Sequence, residues 1–287
     1  MKTRTLGTTA LTAIILIIAT ATKARAQNII YEKEDSIFIE EIIKRYPSKM
    51  FNTTGERMIS LANEFLGKEY VSGTLDEHDN EPLFISCSRL DCTTFVETVL
   101  AIALCDNDDH FPTYCKNLEK IRYRNGIRND YASRLHYVSW WISDSAKHNI
   151  IKEVESPFHT AEQSLDLNFM SCNTEKYRHL KENHETREKI IEFEKPFHNI
   201  QIKYIPKAAI PQIQDNREIK DGDIIAIVTD IEGLDISHVG LASWQDGTLH
   251  MIHASSREGK VIRDAEPLYN YLASRKKHIG IRVFRAL

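Results

Sequence analysis

Long hydrophobic runs are almost absent from this 287-residue sequence, since no stretch after residue 26 is apolar enough to cross a membrane. The exception is the apolar run 11–21, which follows Lys2 and Arg4 and precedes a small-x-small sequence at 24–26. A basic start, a short apolar core and a small-residue cleavage site are the parts of a secretory signal peptide. The sequence therefore predicts a signal peptide over residues 1–26 and an exported, soluble protein without a stable membrane anchor.

An excess of positive charge is also lacking, because 37 Lys+Arg stand against 41 Asp+Glu. Loss of residues 1–26 removes four basic residues and no acid, which changes the formal net charge from -4 to -8. A protein that binds nucleic acid needs a basic face, so we expect no nucleic-acid partner. No internal repeat or low-complexity linker divides residues 27–287, which are predicted to form a single domain. The oligomeric state is left open.

Two signatures of zinc sites are missing, since the chain has no C-x-x-C pair and no H-E-x-x-H. We therefore predict no metal and no cofactor. Five cysteines cannot all pair within one chain, so an exported protein keeps at least one thiol. A free thiol in an oxidising compartment is a liability unless it is buried or used. The spacing does not decide whether any disulfide forms among Cys87, Cys105, Cys115 and Cys172.

The apolar pattern predicts helices in the first part of the chain and strands in the last. Helices are expected over 36–46 and 54–66, and a strongly apolar helix is expected to begin at Asp91. Short β-rich runs separated by Gly and Asp turns are typical of an antiparallel sheet, and they lie at 224–228, 237–243, 248–254 and 279–284. Residues from about 106 to 220 are expected to be a mixed helical and loop insertion, with a solvated helix in the charged run 175–194. The predicted class is α+β.

Asp246-Gly247 lies between two apolar runs and predicts a two-residue hairpin turn. In that register Gly240 faces His253, and His238 is the diagonal neighbour of His253 on the same face. The two imidazoles could then close to hydrogen-bond distance. Gly240 is expected to leave open space over His253, and His250 is expected to point the other way. A one-residue bulge would reverse part of this parity.

Cys92 lies at the start of the apolar helix, where the dipole and free N–H groups lower a thiol pKa and can bind an oxyanion. Cysteine hydrolysis needs a thiolate, a base and a group that orients the base. We predict Cys92, His238 and His253 for these roles. Each residue alone is more often a structural one, and the combination favours catalysis. It requires the helix at Cys92 to lie against the sheet face that carries both histidines.

Several segments resemble the NlpC-type cell-wall cysteine peptidase superfamily. The stretch Leu90-Asp91-Cys92-Thr93-Thr94-Phe95-Val96-Glu97 is similar to its nucleophile segment, with Thr93-Thr94 where Ser-Gly is common. Residues 237–241 resemble its base strand, and 252–255 its third-residue strand. Residues 221–224 resemble the start of the preceding strand, and 66–70 the segment that brings a tyrosine beside the thiol.

The resemblance implies a papain-like α+β core, with an antiparallel sheet packed against the central helix that carries the nucleophile. It also implies that the Tyr70 hydroxyl and the Cys92 N–H stabilise the oxyanion. Asp91 either caps the helix or binds a substrate amine. Ser255, in the third-residue strand, is a further candidate for contact with substrate.

The insertion, including 122–126 and 134–137, resembles a periplasmic amidase-like branch of the superfamily. Its members cleave the amide between N-acetylmuramic acid and L-Ala, so peptidoglycan or muropeptides are the implied substrate and the periplasm the implied location. Arg134, His136 and Trp140 are candidates for contact with the sugar or a carboxylate. The alternatives are an endopeptidase that cuts between D-Glu and the diamino acid, and a catalytically silent wall-binding module.

Overall fold

A computed structural model describes residues 28–213 and 218–287. The predicted signal peptide lies outside the described residues. Within the two described ranges, none of the helices combines the length and the apolar character needed to span a bilayer.

Helices and strands alternate irregularly along the chain, which confirms the mixed α+β class. The helices are α1 (Lys33–Arg45), α2 (Thr54–Asn63), α3 (Cys92–Ala103), α4 (Phe111–Arg122), α5 (Val138–Lys147), α6 (Phe169–Cys172), α7 (Arg178–Glu182), α8 (His184–Glu194), α9 (Ile210–Ile213) and α10 (Leu268–Ala273). The strands are β1 (Ile29–Ile30), β2 (Glu69–Tyr70), β3 (Leu83–Phe84), β4 (Arg89–Leu90), β5 (Ile151–Glu153), β6 (Ala161–Asp166), β7 (His198–Pro206), β8 (Ile224–Thr229), β9 (Ile236–Gln245), β10 (Thr248–Ser255), β11 (Lys260–Arg263) and β12 (His278–Ala286).

One large sheet organises the fold. Its strand order is β4-β2-β11-β10-β9-β8-β12-β7-β6, and β5 pairs with the end of β12. The neighbours β11, β10, β9, β8 and β12 are antiparallel to one another, as the short β-rich runs predict. Strand β4 ends two residues before Cys92, so the helix that begins there starts at one edge of this sheet.

The predicted mixture of helix and loop over about 106–220 is wrong in one respect, because three strands in it join the sheet. Strand β6 pairs with β7, and both β7 and β5 pair with β12. The physical reason is that β6 is an edge strand in which four of the six residues are polar and only Leu165 is buried. Such a strand carries little of the apolar alternation that identifies strands in a sequence.

Helix α3 is the central buried helix that its apolar composition predicts. Ten of its twelve residues are buried. At its start, the Asp91 carboxylate accepts hydrogen bonds from the Thr94 N–H and hydroxyl, each at 2.8 Å, and the Thr94 hydroxyl accepts one from the Asp91 N–H at 2.9 Å. A cap of this kind stabilises a helix by about 1 kcal/mol. It also fixes Cys92 as the first helical residue, so the capping role predicted for Asp91 is confirmed.

The central sheet has two buried faces, and they pack against different helices. The α3 face carries Ala226, Val239, Leu241 and Ile252, which share one apolar cluster with α3. The α10 face carries Ile225, Ile227, Ala242 and Met251, which share another cluster with Leu268, Tyr271 and Leu272 of α10. Because side chains alternate along a strand, each strand residue belongs to one of these two faces.

Candidate active site

The β9–β10 hairpin has the predicted register. Thr248 pairs with Gln245, and the ladder continues to Ile252 with Leu241. Asp246 and Gly247 have φ of 48° and 79°, and a type I′ turn requires positive values at both central residues. The turn therefore sets the parity of both strands.

The two histidines predicted to be diagonal neighbours are hydrogen-bonded. Nε2 of His238 lies 2.7 Å from Nδ1 of His253, and the rings are perpendicular with centroids 4.8 Å apart. The β8–β9 pairing shifts between Ile227–His238 and Val228–Ile236, so a bulge at Ser237 directly precedes His238. It lies before the ladder to β10 begins, so it leaves the predicted parity intact.

Two further expectations for this hairpin have opposite outcomes. His250 points away from His253, as predicted, and its Nδ1 lies 3.0 Å from the Asp264 carbonyl oxygen. The expectation of open space over Gly240 is wrong, because a Cβ added to this glycine would lie 2.9 Å from the Cβ of His253 and from the Met251 side chain. Gly240 is needed because these side chains fill the site directly across from it.

The expectation that α3 lies against the face carrying both histidines is wrong. His238 pairs with Ile227, and paired residues share a face, so both histidines belong to the α10 face. The body of α3 covers the opposite face. At the start of the helix, a hydrogen bond from the backbone of Val239, the residue after His238, acts on the Cys92 sulfur.

Asp264 completes a hydrogen-bonded chain and was missed from the sequence. Its Oδ2 lies 3.3 Å from Nε2 of His253. The Asp264 N–H donates to the Met251 carbonyl at 2.8 Å, and its Oδ1 accepts from the Glu266 N–H at 2.9 Å. In the structure β11 pairs His253 with Ile262, so Asp264, two residues further on, shares that face; no sequence signal fixes this pairing.

The chain of hydrogen bonds determines the tautomers. Burial opposes ionisation of Asp264, but hydrogen bonds from His253 and the Glu266 amide outweigh it and lower the pKa of the carboxyl group. An ionised carboxylate only accepts, so His253 donates from Nε2 and its Nδ1 accepts from Nε2 of His238. The lone pair of His238 is then on Nδ1, which is the nitrogen available as a base.

Both reactive groups are neutral in the protein without substrate. Burial, followed by the charges of His253, His278 and Arg275, lowers the pKa of His238 well below 6.5. Burial, followed by the charge of Asp91, raises the pKa of the Cys92 thiol to about 11. The expectation that the helix N-terminus gives the Cys92 thiol a low pKa is therefore wrong. Burial raises this pKa by more than the helix end lowers it.

Two tyrosines are close enough to sense the charge of Cys92. Burial, then the charges of Cys92 and Asp91, raises the pKa of the predicted Tyr70 to about 12. Tyr271 was missed from the sequence; its ring centroid lies 6.2 Å from that of His238 and 5.5 Å from that of His253. Burial also raises its pKa, and the charge of Cys92 adds to the rise. Both phenols keep their protons at neutral pH and can donate hydrogen bonds.

The other predicted site residues have structural partners. Arg134 is 7% exposed and binds both oxygens of Glu81 and one of Asp76, while Trp140 is 1% exposed. Ser255 accepts a hydrogen bond from the Glu258 N–H in the turn after β10.

His136 is nearer to the nucleophile segment. It lines a small cavity together with Thr93 and Val239, and its Nε2 lies 2.8 Å from the Tyr131 carbonyl oxygen. The structure thus joins His238 to His253 by a hydrogen bond, and it places Tyr271 beside both histidines and within electrostatic reach of Cys92, which also acts on Tyr70. For the remaining candidates, contact with substrate stays a prediction.

Residues 28–213 and 218–287 contain no group of three or more His, Cys, Asp or Glu side chains arranged to hold a metal ion. All five cysteines of the described chain are free thiols, so the question of a disulfide left open by the spacing has a negative answer here. Cys172 is exposed, whereas Cys87, Cys105 and Cys115 are buried.

Comparison with known proteins assigns the chain to a family. The family described as AmiA-like, N-acetylmuramoyl-L-alanine amidase-like, matches residues 60–281. The chain belongs to this family. A comparison with curated proteins found no match.

Solved structures of similar proteins cover most of this AmiA-like chain. The crystal structure of an N-acetylmuramoyl-L-alanine amidase from Bacteroides uniformis is 36% identical, with a TM-score of 0.78, and the match covers 81% of this chain and 98% of that one. A putative xylanase from Bacteroides fragilis is 40% identical, with a TM-score of 0.75 over 79% and 99% of the two chains. A Legionella pneumophila protein of 22% identity, with a TM-score of 0.66 over 88% and 95%, shares the fold.

Proposed function

We propose that the protein hydrolyses the amide bond between N-acetylmuramic acid, in intact or anhydro form, and L-Ala in peptidoglycan fragments. Cys92 is the nucleophile, His238 the base and His253 the residue that orients it. The observation that carries the proposal is the 2.7 Å contact between the two imidazoles, which continues to Asp264 and leaves Nδ1 of His238 free to act. Membership of the amidase-like family supports the choice of bond.

The reaction follows from neutral starting groups. Nδ1 of His238 takes the proton of the Cys92 thiol as the sulfur attacks the lactyl carbonyl carbon. The tetrahedral intermediate collapses, the C–N bond breaks, and the imidazolium gives its proton to the leaving amine of L-Ala. Water then attacks the thioester with His238 as base again, which releases the carboxylic acid and restores the thiol. Asp264 stabilises the transient positive charge through His253.

The oxyanion is stabilised by the start of α3. The first N–H groups of a helix have no partner within it, and the Asp91 carboxylate takes up only that of Thr94. The N–H of Cys92 is thus free for an oxyanion, and the protonated Tyr70 hydroxyl adds a second donor. Nucleophile and oxyanion donors then come from one helix end and one adjacent strand.

The proposal also covers the superfamily to which the core belongs and the cellular location of the protein. We assign the core to the papain-like NlpC superfamily on the strength of the nucleophile, base and third-residue segments. We assign export to the periplasm on the strength of the leader-like residues 1–26.

Glycoside hydrolysis, which the name of the Bacteroides fragilis neighbour suggests, is not favoured by this site. That reaction uses two carboxyl groups that flank the scissile bond. Here the carboxylate beside the histidines already binds His253 and the Glu266 N–H, and the other candidate groups are a thiol and imidazoles.

A digest of purified muropeptides, analysed by mass spectrometry, tests the proposal. We expect release of the intact stem peptide and a sugar with a free lactyl carboxylate. A sugar that keeps an L-Ala-D-Glu stub would instead identify an endopeptidase. No cleavage by correctly folded protein would identify a silent wall-binding module.

The thiol itself is tested with a matched pair of variants. Cys92→Ala is expected to abolish cleavage, and Cys172→Ala, which removes an exposed thiol, is expected to retain it. Cleavage by Cys92→Ala would rule out the cysteine mechanism.

A further inference from the structure

Arg275 is a cation without an anionic partner beside the candidate site. Its guanidinium lies 3.6 Å from the centroid of the Tyr271 ring, and Nη1 donates to the Tyr271 carbonyl at 2.8 Å and to the Ser274 hydroxyl at 3.0 Å. In the described ranges, no carboxylate lies within ion-pair distance of Arg275, and Nε and Nη2 have no hydrogen-bond partner. Two donors of a half-buried guanidinium therefore remain for a ligand.

Several other buried arginines have carboxylate partners, whereas Arg57, Arg124 and Arg263 have none among the described residues; Arg275 differs from these three in lying beside the candidate site. Arg122 donates to Glu97 at 2.7 Å, Arg134 to Glu81 at 2.9 Å and Arg282 to Glu153 at 2.9 Å. Burial of a guanidinium costs free energy that a carboxylate normally offsets. Arg275 has no direct carboxylate contact in the described chain and interacts with Asp264 only through charge, so a bound anion would add compensation.

Two further groups surround the same phenol ring. The His278 ring is stacked on Tyr271 with centroids 5.9 Å apart, and its Nδ1 is buried without a partner among the described residues. The positive charges of Arg275 and Lys207 both act on His278. Tyr271 thus carries a cation on one side and three histidine rings, those of His238, His253 and His278, within 6.2 Å.

The acidic groups near this cluster are already used or distant from its donors. Asp264 binds His253 and the Glu266 N–H, and it interacts with Arg275 and Tyr271 through its charge without a direct contact; Glu266 likewise acts on Tyr271 only through its charge. The cluster of Arg275, Lys207 and His278, which we call the cationic cluster, owes its positive charge to Arg275 and Lys207, because burial and these two charges lower the pKa of His278 to about 4 and leave it neutral at neutral pH.

We propose that the cationic cluster binds a free carboxylate of the leaving peptide. The inference rests on the proposed function, in which His238 must reach the leaving amine, so the groups next to His238 lie on the leaving-group side. Stem peptides carry free carboxylates, whereas the lactyl carboxyl group of the sugar is consumed in the amide bond. The planar Arg275 guanidinium binds a carboxylate through two parallel N–H···O bonds, and Lys207 and His278 add charge and a donor.

A substrate pair isolates the carboxylate. The first substrate is N-acetylmuramoyl-L-Ala-D-Glu, and the second is the same compound with both glutamyl carboxyl groups amidated. We expect the protein to prefer the first by about tenfold in kcat/KM, since a hydrogen-bonded charge pair is involved. Arg275→Ala is expected to reduce this preference to below about threefold, Arg275→Lys to restore part of it, and Lys147→Ala, which removes an exposed charge at the end of α5, to leave it unchanged.

Binding to a non-reactive probe separates this proposal from the proposed function. Calorimetry with the free dipeptide L-Ala-D-Glu and its diamide measures the subsite even if neither substrate is cleaved. Arg275-dependent binding of the dipeptide without any cleavage would overturn the amidase proposal and keep the subsite. Equal binding of dipeptide and diamide, or equal loss on both in Arg275→Ala of unchanged thermal midpoint, would overturn the subsite.

Discussion

Replacement of Asp264 by Asn tests the hydrogen-bonded chain at its far end, where the change in shape is smallest. The carboxylate only accepts a hydrogen bond, whereas the Asn amide can also donate one. If it donates to Nε2 of His253, then Nδ1 of His253 carries the proton and Nε2 of His238 must accept. His238 is then protonated on Nδ1, the nitrogen that has to receive the proton of Cys92.

The size of the effect follows from the geometry. A hydrogen bond to a charged group contributes about 1.5–3 kcal/mol. The 3.3 Å separation between His253 and Asp264 is long for an N–H···O contact, so we take the lower end, about 1.5–2 kcal/mol. This corresponds to a loss of roughly tenfold to thirtyfold in kcat. The loss is expected in kcat rather than in KM, because Asp264 acts on the imidazolium formed during the reaction.

The assay is steady-state hydrolysis of a defined muropeptide by wild type, Asp264→Asn and Asp246→Asn. Asp246 is exposed in the hairpin turn at φ 48°, a conformation that Asn accepts, so the control makes the same chemical change outside the site. Thermal midpoints of all three proteins check the fold. If Asp264→Asn retains kcat within twofold of wild type, the relay from Asp264 to His238 plays no part in the reaction.

Three further predictions concern the same site. Cys92→Ala is expected to lose hydrolysis and to change the thermal midpoint by less than about 4 °C, since a loss of roughly 1 kcal/mol lowers the midpoint of a domain of this size by about 2–4 °C. A larger drop, measured by calorimetry, would mean that the thiol has a structural role. In a Cys172→Ala background, alkylation of Cys92 by iodoacetamide is expected to accelerate with pH towards about 11, because burial holds the thiol protonated below that, and a plateau near pH 7 would contradict it. Gly240→Ala is expected to destabilise the fold by about 1–3 kcal/mol in urea denaturation and to lower kcat, because the new Cβ meets His253 and Met251 at 2.9 Å; unchanged activity and stability would show that His253 can move without consequence.

The parts of the site that could be predicted from the sequence are those fixed by local rules. A two-residue turn at Asp246-Gly247 sets the parity of both its strands, so the shared face of His238 and His253 follows without knowledge of the rest of the fold. Capping chemistry similarly fixes Asp91 and the first residue of α3. Both inferences depend on residues within a few positions or one tight turn.

The parts that could not be predicted depend on contacts between distant segments. Asp264 reaches His253 only because β11, a strand of four residues, pairs with β10. Tyr271 reaches the histidines only because α10 packs on one face of the sheet. Parity says which residues share a face and not which helix covers it, and for this reason the face assigned to α3 was wrong. The strand β7, by contrast, carries alternating Ile200 and Ile202 with polar neighbours, a signal hidden by the charged run before it.

The charges around His238 connect the two proposals. Burial, the neighbouring His253 and His278 and the charge of Arg275 lower its pKa, and Asp264 acts in the opposite direction. A low pKa keeps His238 unprotonated and able to accept a proton, but it makes the imidazolium costly to form. Negative charge that arrives only with the substrate lowers this cost during the reaction and therefore raises the rate. A peptide carboxylate on Arg275 adds negative charge near His238 and raises its pKa in the complex. The acid limb of kcat is therefore expected at higher pH for the carboxylate substrate than for its diamide. In Arg275→Ala both the cation and its ligand are gone, so the two acid limbs should coincide; limbs that stay apart in this variant would mean that the carboxylate binds elsewhere.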